Sequence, residues 1–159
     1  MKKDGEIVGT DEDDQGGLPI VVSDFISCAG QPSEAQLRKL AGNHFHVVIN
    51  LGLENAPYAL SNEGSIVMEL GMRYVNLPVD FGAPLREDFE RFVECMTAHS
   101  EQRVWVHCAA NKRASCFVAL WMERQGWSKT QSDELIRQVW QPDGVWRRFL
   151  EAVRAQCLL

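Results

Sequence analysis

Short apolar segments of strand length alternate with amphipathic segments of helical length through the middle of the chain. The strand-like segments are residues 20–22, 25–27, 46–51, 73–77 and 104–106. Because such alternation requires right-handed crossovers, it places neighbouring strands parallel and covers both faces of the sheet with helices. The pattern predicts an α/β fold with a largely parallel central sheet of four to five strands flanked by helices.

Capping signals and apolar periodicity predict the helices between these strands. Ser33 and Gln36 have capping-box spacing, and Gly42 ends the helix that they open. A second helix over residues 63–70 ends before Gly71, and residues 114–122 are apolar enough for a helix buried on most sides. Residues 85–98 show a helical apolar stripe, with core positions predicted at Leu85, Phe89, Phe92, Val93 and Met96.

Two further amphipathic helices follow, the first opened by Ser128 with Gln131 and the second starting after Gln141-Pro142. Their predicted core positions are Leu135, Ile136, Val139 and Trp140 in the first, and Val145, Trp146, Phe149, Leu150 and Val153 in the second.

Size and charge limit the number of domains and the classes of partner. With 159 residues, 45% of them hydrophobic, the chain has room for one domain over residues 18–159, preceded by an acidic tail over residues 1–17 that we expect to be mobile. A net charge of −6 argues against a broad basic surface for nucleic acid. No apolar run reaches the length of a membrane span and no signal sequence is evident, so we expect a cytoplasmic protein, with its oligomeric state left open.

The cysteine and histidine content gives no sign of a disulfide framework or a metal site. The five cysteines are an odd number without CxxC spacing, and His44 and His46 have no Cys, Asp or Glu at zinc-site spacing. We therefore expect no metal and no cofactor. Four of the cysteines fit inert core positions, namely Cys28, Cys95, Cys116 and Cys157.

The last predicted strand leads into a segment rich in reactive and anion-binding groups. This segment runs His107-Cys108-Ala109-Ala110-Asn111-Lys112-Arg113-Ala114-Ser115 and places Cys108 between the end of a strand and the start of a helix. Unpaired N–H groups at a helix N-terminus bind oxyanions and favour a thiolate over a thiol. The planar fork of donors on Arg113 is suited to a tetrahedral oxyanion. The segment therefore predicts an anion site with a nucleophilic cysteine.

Here the sequence resembles the cysteine-dependent protein tyrosine and dual-specificity phosphatases, whose signature is His-Cys, a phosphate-cradling loop, and Arg followed by Ser or Thr. Three further stretches are similar to the same superfamily: Ala29-Gly30-Gln31-Pro32-Ser33, Val48-Ile49-Asn50-Leu51 and Tyr74-Val75-Asn76-Leu77-Pro78-Val79-Asp80. The likeness covers roughly residues 20–125 and is greatest to a small bacterial branch, members of which occur fused to beta-lactamase-like hydrolases.

The resemblance implies a metal-independent phosphomonoester hydrolase that works through a phosphocysteine on a phosphorylated protein or a small phosphomonoester. Cys108 is the expected nucleophile, Arg113 the expected phosphate ligand, and Asp80 the expected general acid. Supporting or phosphate-binding positions are expected at His107, Ala109, Ala110, Asn111, Lys112, Ala114 and Ser115. Asp88 is the fallback acid, although a carboxylate in the first turn of a helix also fits a dipole partner.

The loop departs from the common family pattern in its length. Four residues separate Cys108 from Arg113, whereas the family usually has five, and Ala114 directly follows the arginine. Either the loop is a tighter cradle, of the kind that rhodanese-like sulfurtransferases have, or Arg113 points away and the site only binds. Sulfur transfer through a persulfide and a catalytically weak phospho-ligand-binding module are therefore the alternatives to hydrolysis.

Overall fold

The computed structural model describes residues 18–157, in which short strands and helices alternate as the sequence predicts. Residues 1–17, for which the sequence predicts an acidic tail, lie outside this part of the chain. In chain order the elements are β1 (Ile20–Val21), β2 (Ile26–Ala29), α1 (Glu34–Gly42), β3 (Val47–Asn50), α2 (Glu63–Glu69), β4 (Arg73–Asn76), α3 (Arg86–Ala98), β5 (Val104–His107), α4 (Lys112–Arg124), α5 (Lys129–Arg137) and α6 (Gly144–Cys157).

The strands form one sheet in the order β1-β2-β5-β3-β4. The last four are parallel, and the two-residue strand β1 pairs antiparallel with β2 at the edge. Strand β5 lies at the centre, where His107 is in register with Ala29 of β2 and Asn50 of β3. The predicted α/β architecture is confirmed, and the carboxyl ends of its parallel strands meet at one edge, where ligands of such sheets bind.

Helices cover the sheet on both faces. Val48 and Trp105 point into a core formed with α1 and α2, whereas their strand neighbours Ile49 and Val106 point into a larger core formed with α3 to α6. Because alternate residues of a strand face opposite sides, burial on both faces requires the continuous apolar runs seen in β3 and β5. Among the described helices, none is long and apolar enough to cross a membrane.

Two predicted core positions are wrong. Leu85 is 53% exposed and Val145 is 37% exposed. Leu85 precedes α3 as its N-cap residue, and Val145 is the second residue of α6. Both therefore lie at a helix N-terminus, before the part of the helix that packs against the core. The apolar stripes begin instead at Phe89 and Trp146, which are buried.

Helix α4 is the most buried helix and begins two residues earlier than the sequence indicates. Every residue from Arg113 to Trp121 is buried, as expected for a helix covered on most sides. The earlier start places Lys112 and Arg113 in the first helical turn rather than in a loop. The fold thus sets an arginine directly at a helix N-terminus, against the central strand.

Candidate active site

The segment that joins β5 to α4 lies at the carboxyl edge of the sheet, between extensions of both neighbouring strands. The N–H of Cys108 donates to the carbonyl oxygen of Ala29 over 3.3 Å, and the N–H of Leu51 donates to the carbonyl oxygen of His107 over 2.8 Å. Gln31 donates its backbone N–H to Ala109 over 3.0 Å. The first half of the loop is therefore fixed by hydrogen bonds to β2 and β3 and to the residues that follow them.

Asn111 makes the turn from the loop into α4. It is the N-cap residue, with a φ of 68° in the left-handed region, and it is 2% exposed. Asn adopts this conformation at lower cost than other residues with a side chain. The turn leaves the first N–H groups of α4 without acceptors in their own helix, as at any helix start.

Cys108 follows β5 directly, three residues before Asn111, and is 1% exposed. It stands in the segment that leads from the central strand to the N-terminus of α4. The other cysteines differ in their surroundings. Burial raises the pKa of Cys28 and of Cys116 to about 12 and also raises the pKa of Cys95, so all three remain thiols. The side chain of Cys157 lies outside the described part of the chain.

Arg113 projects from the first turn of α4 into the site and is 5% exposed. Its Nη1 donates to the carbonyl oxygen of Val79 over 2.7 Å, and its Nη2 donates to the Tyr58 hydroxyl over 3.3 Å. These two acceptors hold the plane of the guanidinium from separate loops. Tyr58 was not singled out from the sequence, because its partner is 55 residues away and nothing in its local pattern indicates a contact.

Asp80 follows Val79 directly and is exposed in the loop after β4. Its Oδ1 accepts the N–H of Gly82 over 2.9 Å, so the carboxylate shapes the turn at Phe81-Gly82. The hydrogen bond from Arg113 to Val79 ties this turn to the Cys108 loop. In contrast, Asp88 is buried, accepts the N–H of Leu85 over 2.9 Å and pairs with Arg91, which is the role of a helix cap.

Cations and aromatic rings lie together beside the turn. The exposed Lys112 places its Nζ 5.3 Å from the ring centroid of Trp140 and 5.9 Å from that of Phe81. Arg113 lies 5.9 Å from the Phe81 centroid and the same distance from that of Tyr58. Phe81 itself is 42% exposed. An aromatic surface thus adjoins the two basic residues at the start of α4.

The remaining predicted support residues differ in exposure. Ala110 is exposed and forms a bridge with Gly30, and Ala109 is partly exposed. Ala114 is fully buried in the core. Ser115 is also buried, and its hydroxyl donates to the carbonyl oxygen of Lys112 over 3.1 Å, within its own helix.

His107 makes the contact that sequence reasoning did not foresee. Its Nε2 lies 2.6 Å from Oε2 of Glu63, the first residue of α2, and both side chains are buried. Its Nδ1 lies 3.2 Å from the carbonyl oxygen of Cys108. The Glu63 Oε1 atom also accepts from Nε2 of Gln31 over 2.8 Å. The sequence places Glu63 at a helix start, where an acidic residue is common, so no local signal marks it as a partner of His107.

The residues assembled here provide a thiol in the segment before a helix N-terminus, a buried arginine five residues further along the chain, and an exposed carboxylate on a loop held by that arginine. Such a set can bind a tetrahedral oxyanion and attack it with sulfur.

Comparison with known proteins finds similarity to phosphatases. The model of a family described as "DSP-PTPase phosphatase fused to NAD+ Kinase" matches residues 23–145. No curated protein matches the sequence. A solved structure from Shewanella putrefaciens CN-32, described as a proposed phosphatase (DUF442), is 31% identical, with a TM-score of 0.80, over 91% of this chain and 95% of that chain.

Two more distant structures share the fold. Tk-PTP in its active form is 20% identical, with a TM-score of 0.69, over 87% of this chain and 94% of that chain. PTPMT1 in complex with PI(5)P is also 20% identical, with a TM-score of 0.71, over 87% of this chain and 98% of that chain. The resemblance to the cysteine-dependent phosphatase superfamily is confirmed, and family and fold support phosphatase activity on phosphorylated substrates. The chain belongs to the dual-specificity-type phosphatase domains of the family whose description names a fusion to NAD+ kinase.

Proposed function

We propose that this protein hydrolyses phosphomonoesters in two steps through a phosphocysteine, without a metal. The observation that carries the proposal is the position of Cys108 directly after the central strand and four residues before the first residue of α4, with Arg113 buried in the first turn of that helix. Phosphate is the anion expected at such a site, because the amides and the guanidinium offer donors to several of its oxygens at once.

In the first step the Cys108 thiolate attacks phosphorus, and a sulfur–phosphorus bond forms as the bond to the leaving oxygen breaks. The loop amides and Arg113 hold the non-reacting oxygens, and Asp80 gives its proton to the leaving oxygen. In the second step a water molecule attacks phosphorus and gives a proton to the Asp80 carboxylate, while the sulfur leaves as a thiolate. Inorganic phosphate and the original enzyme result.

The short spacing between Cys108 and Arg113 favours sulfur transfer as the second candidate, because a tighter loop suits a smaller ligand. Both candidates use the same nucleophile, but they differ in the substrate consumed. Cyanide-dependent turnover of thiosulfate would identify the sulfurtransferase.

The test measures release of phosphate from para-nitrophenyl phosphate and from a phosphotyrosine peptide, at mildly acidic to neutral pH. We expect Cys108→Ser to abolish turnover while phosphate still binds, and Arg113→Ala to lower turnover by roughly a hundredfold or more. Cys95→Ser, which changes a thiol outside the loop, is the matched control and should keep wild-type activity. Turnover that survives in Cys108→Ser would refute the mechanism, whereas phosphate binding without wild-type turnover would favour a binding module.

A further inference from the structure

Helix α6 contacts the turn that carries Asp80. The turn lies between β4 and α3, and the carbonyl oxygen of its residue Phe81 accepts from Nε1 of Trp146 over 2.7 Å. Trp146 belongs to α6 and is 2% exposed. A helix that supplies no group to the two proposed steps is thus bonded directly to the turn of the proposed acid.

The turn is held on both sides of Asp80. The carbonyl oxygen of Val79, the residue before Asp80, accepts from Nη1 of Arg113 over 2.7 Å. The carbonyl oxygen of Phe81, the residue after it, accepts from Trp146. Arg113 projects from α4 and Trp146 from α6. Side chains from two helices therefore fix the backbone immediately before and after the carboxyl group.

Trp146 is itself packed against α4. The centroid of its ring system lies 6.2 Å from that of Phe117 in α4 and 5.2 Å from that of Phe149, one turn later in α6. Phe117 is fully buried and follows Arg113 by four residues, and residues four apart in a helix lie on the same face. The two groups that bond the turn are therefore both supported by one face of α4, the helix that begins at the Cys108 loop.

Displacement of the turn would leave a buried donor without its acceptor. An indole N–H can only donate, and a buried donor that lacks a partner is unfavourable. The side chain of Phe81 adds contacts in the same position, since its ring centroid lies 5.9 Å from that of Trp146 and 5.7 Å from that of Trp140. Both effects favour the observed position of the turn.

The backbone of the turn also sets the direction of the Asp80 carboxyl group. The Oδ1 atom of Asp80 accepts the N–H of Gly82 over 2.9 Å, and the N–H of Ala83 donates to the Asp80 carbonyl oxygen over 3.1 Å. These bonds connect the carboxyl group to the peptides on either side of Phe81. A shift of the Phe81 peptide would therefore displace the carboxyl group.

We propose that Trp146 is a positioning residue, whose hydrogen bond to Phe81 holds the Asp80 carboxyl group in the place where it acts on the leaving oxygen. This consequence rests on the proposed function, because it concerns the transfer of a proton from Asp80. Loss of the indole N–H then has a selective effect. Substrates that need the acid are slowed, whereas para-nitrophenyl phosphate is slowed little, because its leaving group departs without a proton.

The test compares kcat/KM for phenyl phosphate with kcat/KM for para-nitrophenyl phosphate in Trp146→Phe, which keeps an aromatic ring and removes the N–H. We expect phenyl phosphate to slow about tenfold relative to para-nitrophenyl phosphate. An equal loss with both substrates would overturn the proposal.

Trp121→Phe is the matched control, because Trp121 is a buried tryptophan at the opposite edge of the sheet. It lines a cavity there with Ile26 and Val104, the first residues of β2 and β5. This variant removes the same atoms from the core, and the ratio of the two kcat/KM values should stay that of the wild type.

Action through Asp80 gives a second expectation. In an Asp80→Asn background, Trp146→Phe should cause no further selective slowing of phenyl phosphate, whereas independent effects would add. A further selective loss in the double variant would contradict the proposal.

Hydrogen exchange tests the hold on the turn without any turnover. The amides of Gly82 and Ala83, measured by NMR, should exchange about tenfold faster in Trp146→Phe than in the wild type, and at the wild-type rate in Trp121→Phe. Unchanged exchange in Trp146→Phe would refute the proposal. Faster exchange in a protein whose wild type hydrolyses no phosphate ester would reject the proposed function and retain the hold of Trp146 on the turn.

A second variant serves if Trp146→Phe fails to fold. The amino acid β-(3-benzothienyl)alanine, introduced at position 146 by stop-codon suppression, keeps the shape of the indole and has sulfur in place of the N–H. The same selective slowing and faster exchange are expected, and wild-type behaviour in both measurements would overturn the proposal.

Discussion

Tyr58 is the side chain that links the loop after β3 to the guanidinium of Arg113. Its hydroxyl accepts from Nη2 of Arg113 over 3.3 Å and from the N–H of Leu53 over 3.0 Å. An arginine binds a tetrahedral anion best when its fork is already oriented, since less freedom is then lost on binding. The direction of Arg113 thus depends on a residue outside the Cys108 loop.

Replacement of Tyr58 by Phe removes one of the two acceptors of Arg113 and keeps the ring. We expect kcat/KM for para-nitrophenyl phosphate to fall about fivefold to tenfold, equivalent to about 1 kcal/mol, because Nη1 remains bonded to Val79. Steady-state kinetics would measure this fall in kcat/KM, and melting temperatures would measure any change in stability. Tyr74→Phe, which removes a hydroxyl bonded to Glu54 and Asn50, is the control; an equal loss in both variants would contradict a specific role for Tyr58.

We expect the effect of replacing Asp80 on the rate of hydrolysis to depend on the leaving group of the substrate. If it protonates the departing oxygen, Asp80→Asn should slow an alkyl phosphate about a hundredfold and para-nitrophenyl phosphate far less, because nitrophenolate leaves without a proton. The measurement compares kcat/KM for the two substrates in the variant and the wild type. Asp88→Asn should show no such difference, since Asp88 caps α3. A uniform loss with both substrates would restrict Asp80 to shaping the turn at Gly82.

At the scale of the element, the start of α4 decides where Lys112 and Arg113 lie. Asn111 occupies the left-handed region as the N-cap, and this turn lets the helix begin at Lys112. The helix start is what allows a shortened loop to place Arg113 in the site, since each residue of a helix turns the side-chain direction by about 100°. The backbone conformation of Asn111 therefore sets where α4 begins.

We predict that a substitution at position 111 is tolerated when the new residue readily adopts a left-handed backbone conformation. Asn111→Gly should keep activity within about threefold, whereas Asn111→Val should lose about 1 to 2 kcal/mol of stability and most activity. Urea denaturation and phosphatase assays would measure these effects. His44→Val is the matched control, because His44 has the same φ of 68° in an exposed loop far from Cys108 in sequence. It should lose stability but keep activity.

The sequence predicts the elements far better than the contacts between them. Ser33 with Gln36 and Ser128 with Gln131 form the capping boxes that their spacing indicates, because capping is a local interaction. The Cys108 loop is likewise recognisable from adjacent residues. The partners of that loop are not, because Glu63 and Tyr58 approach it only through the order of strands in the sheet.

At the scale of the whole molecule, α6 connects the last helices to the turn that carries Asp80. The indole Nε1 of Trp146 donates to the carbonyl oxygen of Phe81 over 2.7 Å. Near the other end of α6, Arg154 bonds Glu123 of α4 over 2.9 Å and Asp133 of α5 over 2.8 Å. The arginine is only 15% exposed, so this network is better shielded from solvent than an ordinary surface ion pair.

The network predicts how stability depends on pH. Burial opposes the charged form of Asp133, but hydrogen bonds from Lys129 and Arg154 outweigh it and hold the pKa of this carboxyl below its usual value. A carboxyl with a lowered pKa in the folded state stabilises the protein above its unfolded pKa, and this stabilisation is lost as pH falls through the folded value. Asp133→Asn should therefore be less stable than the wild type at neutral pH, by about 1 kcal/mol.

Urea denaturation at neutral pH and at about pH 3 would test this dependence, since protonation in acid removes the charge that the variant lacks. The difference between Asp133→Asn and the wild type should shrink toward zero in acid. Glu134→Gln is the matched control, because the neighbouring Glu134 is exposed and its contact with Arg137 is long, at 3.7 Å. This variant should change stability little at either pH. A difference for Asp133→Asn that stays constant with pH would contradict a contribution of the Asp133 charge to the contact between α5 and α6.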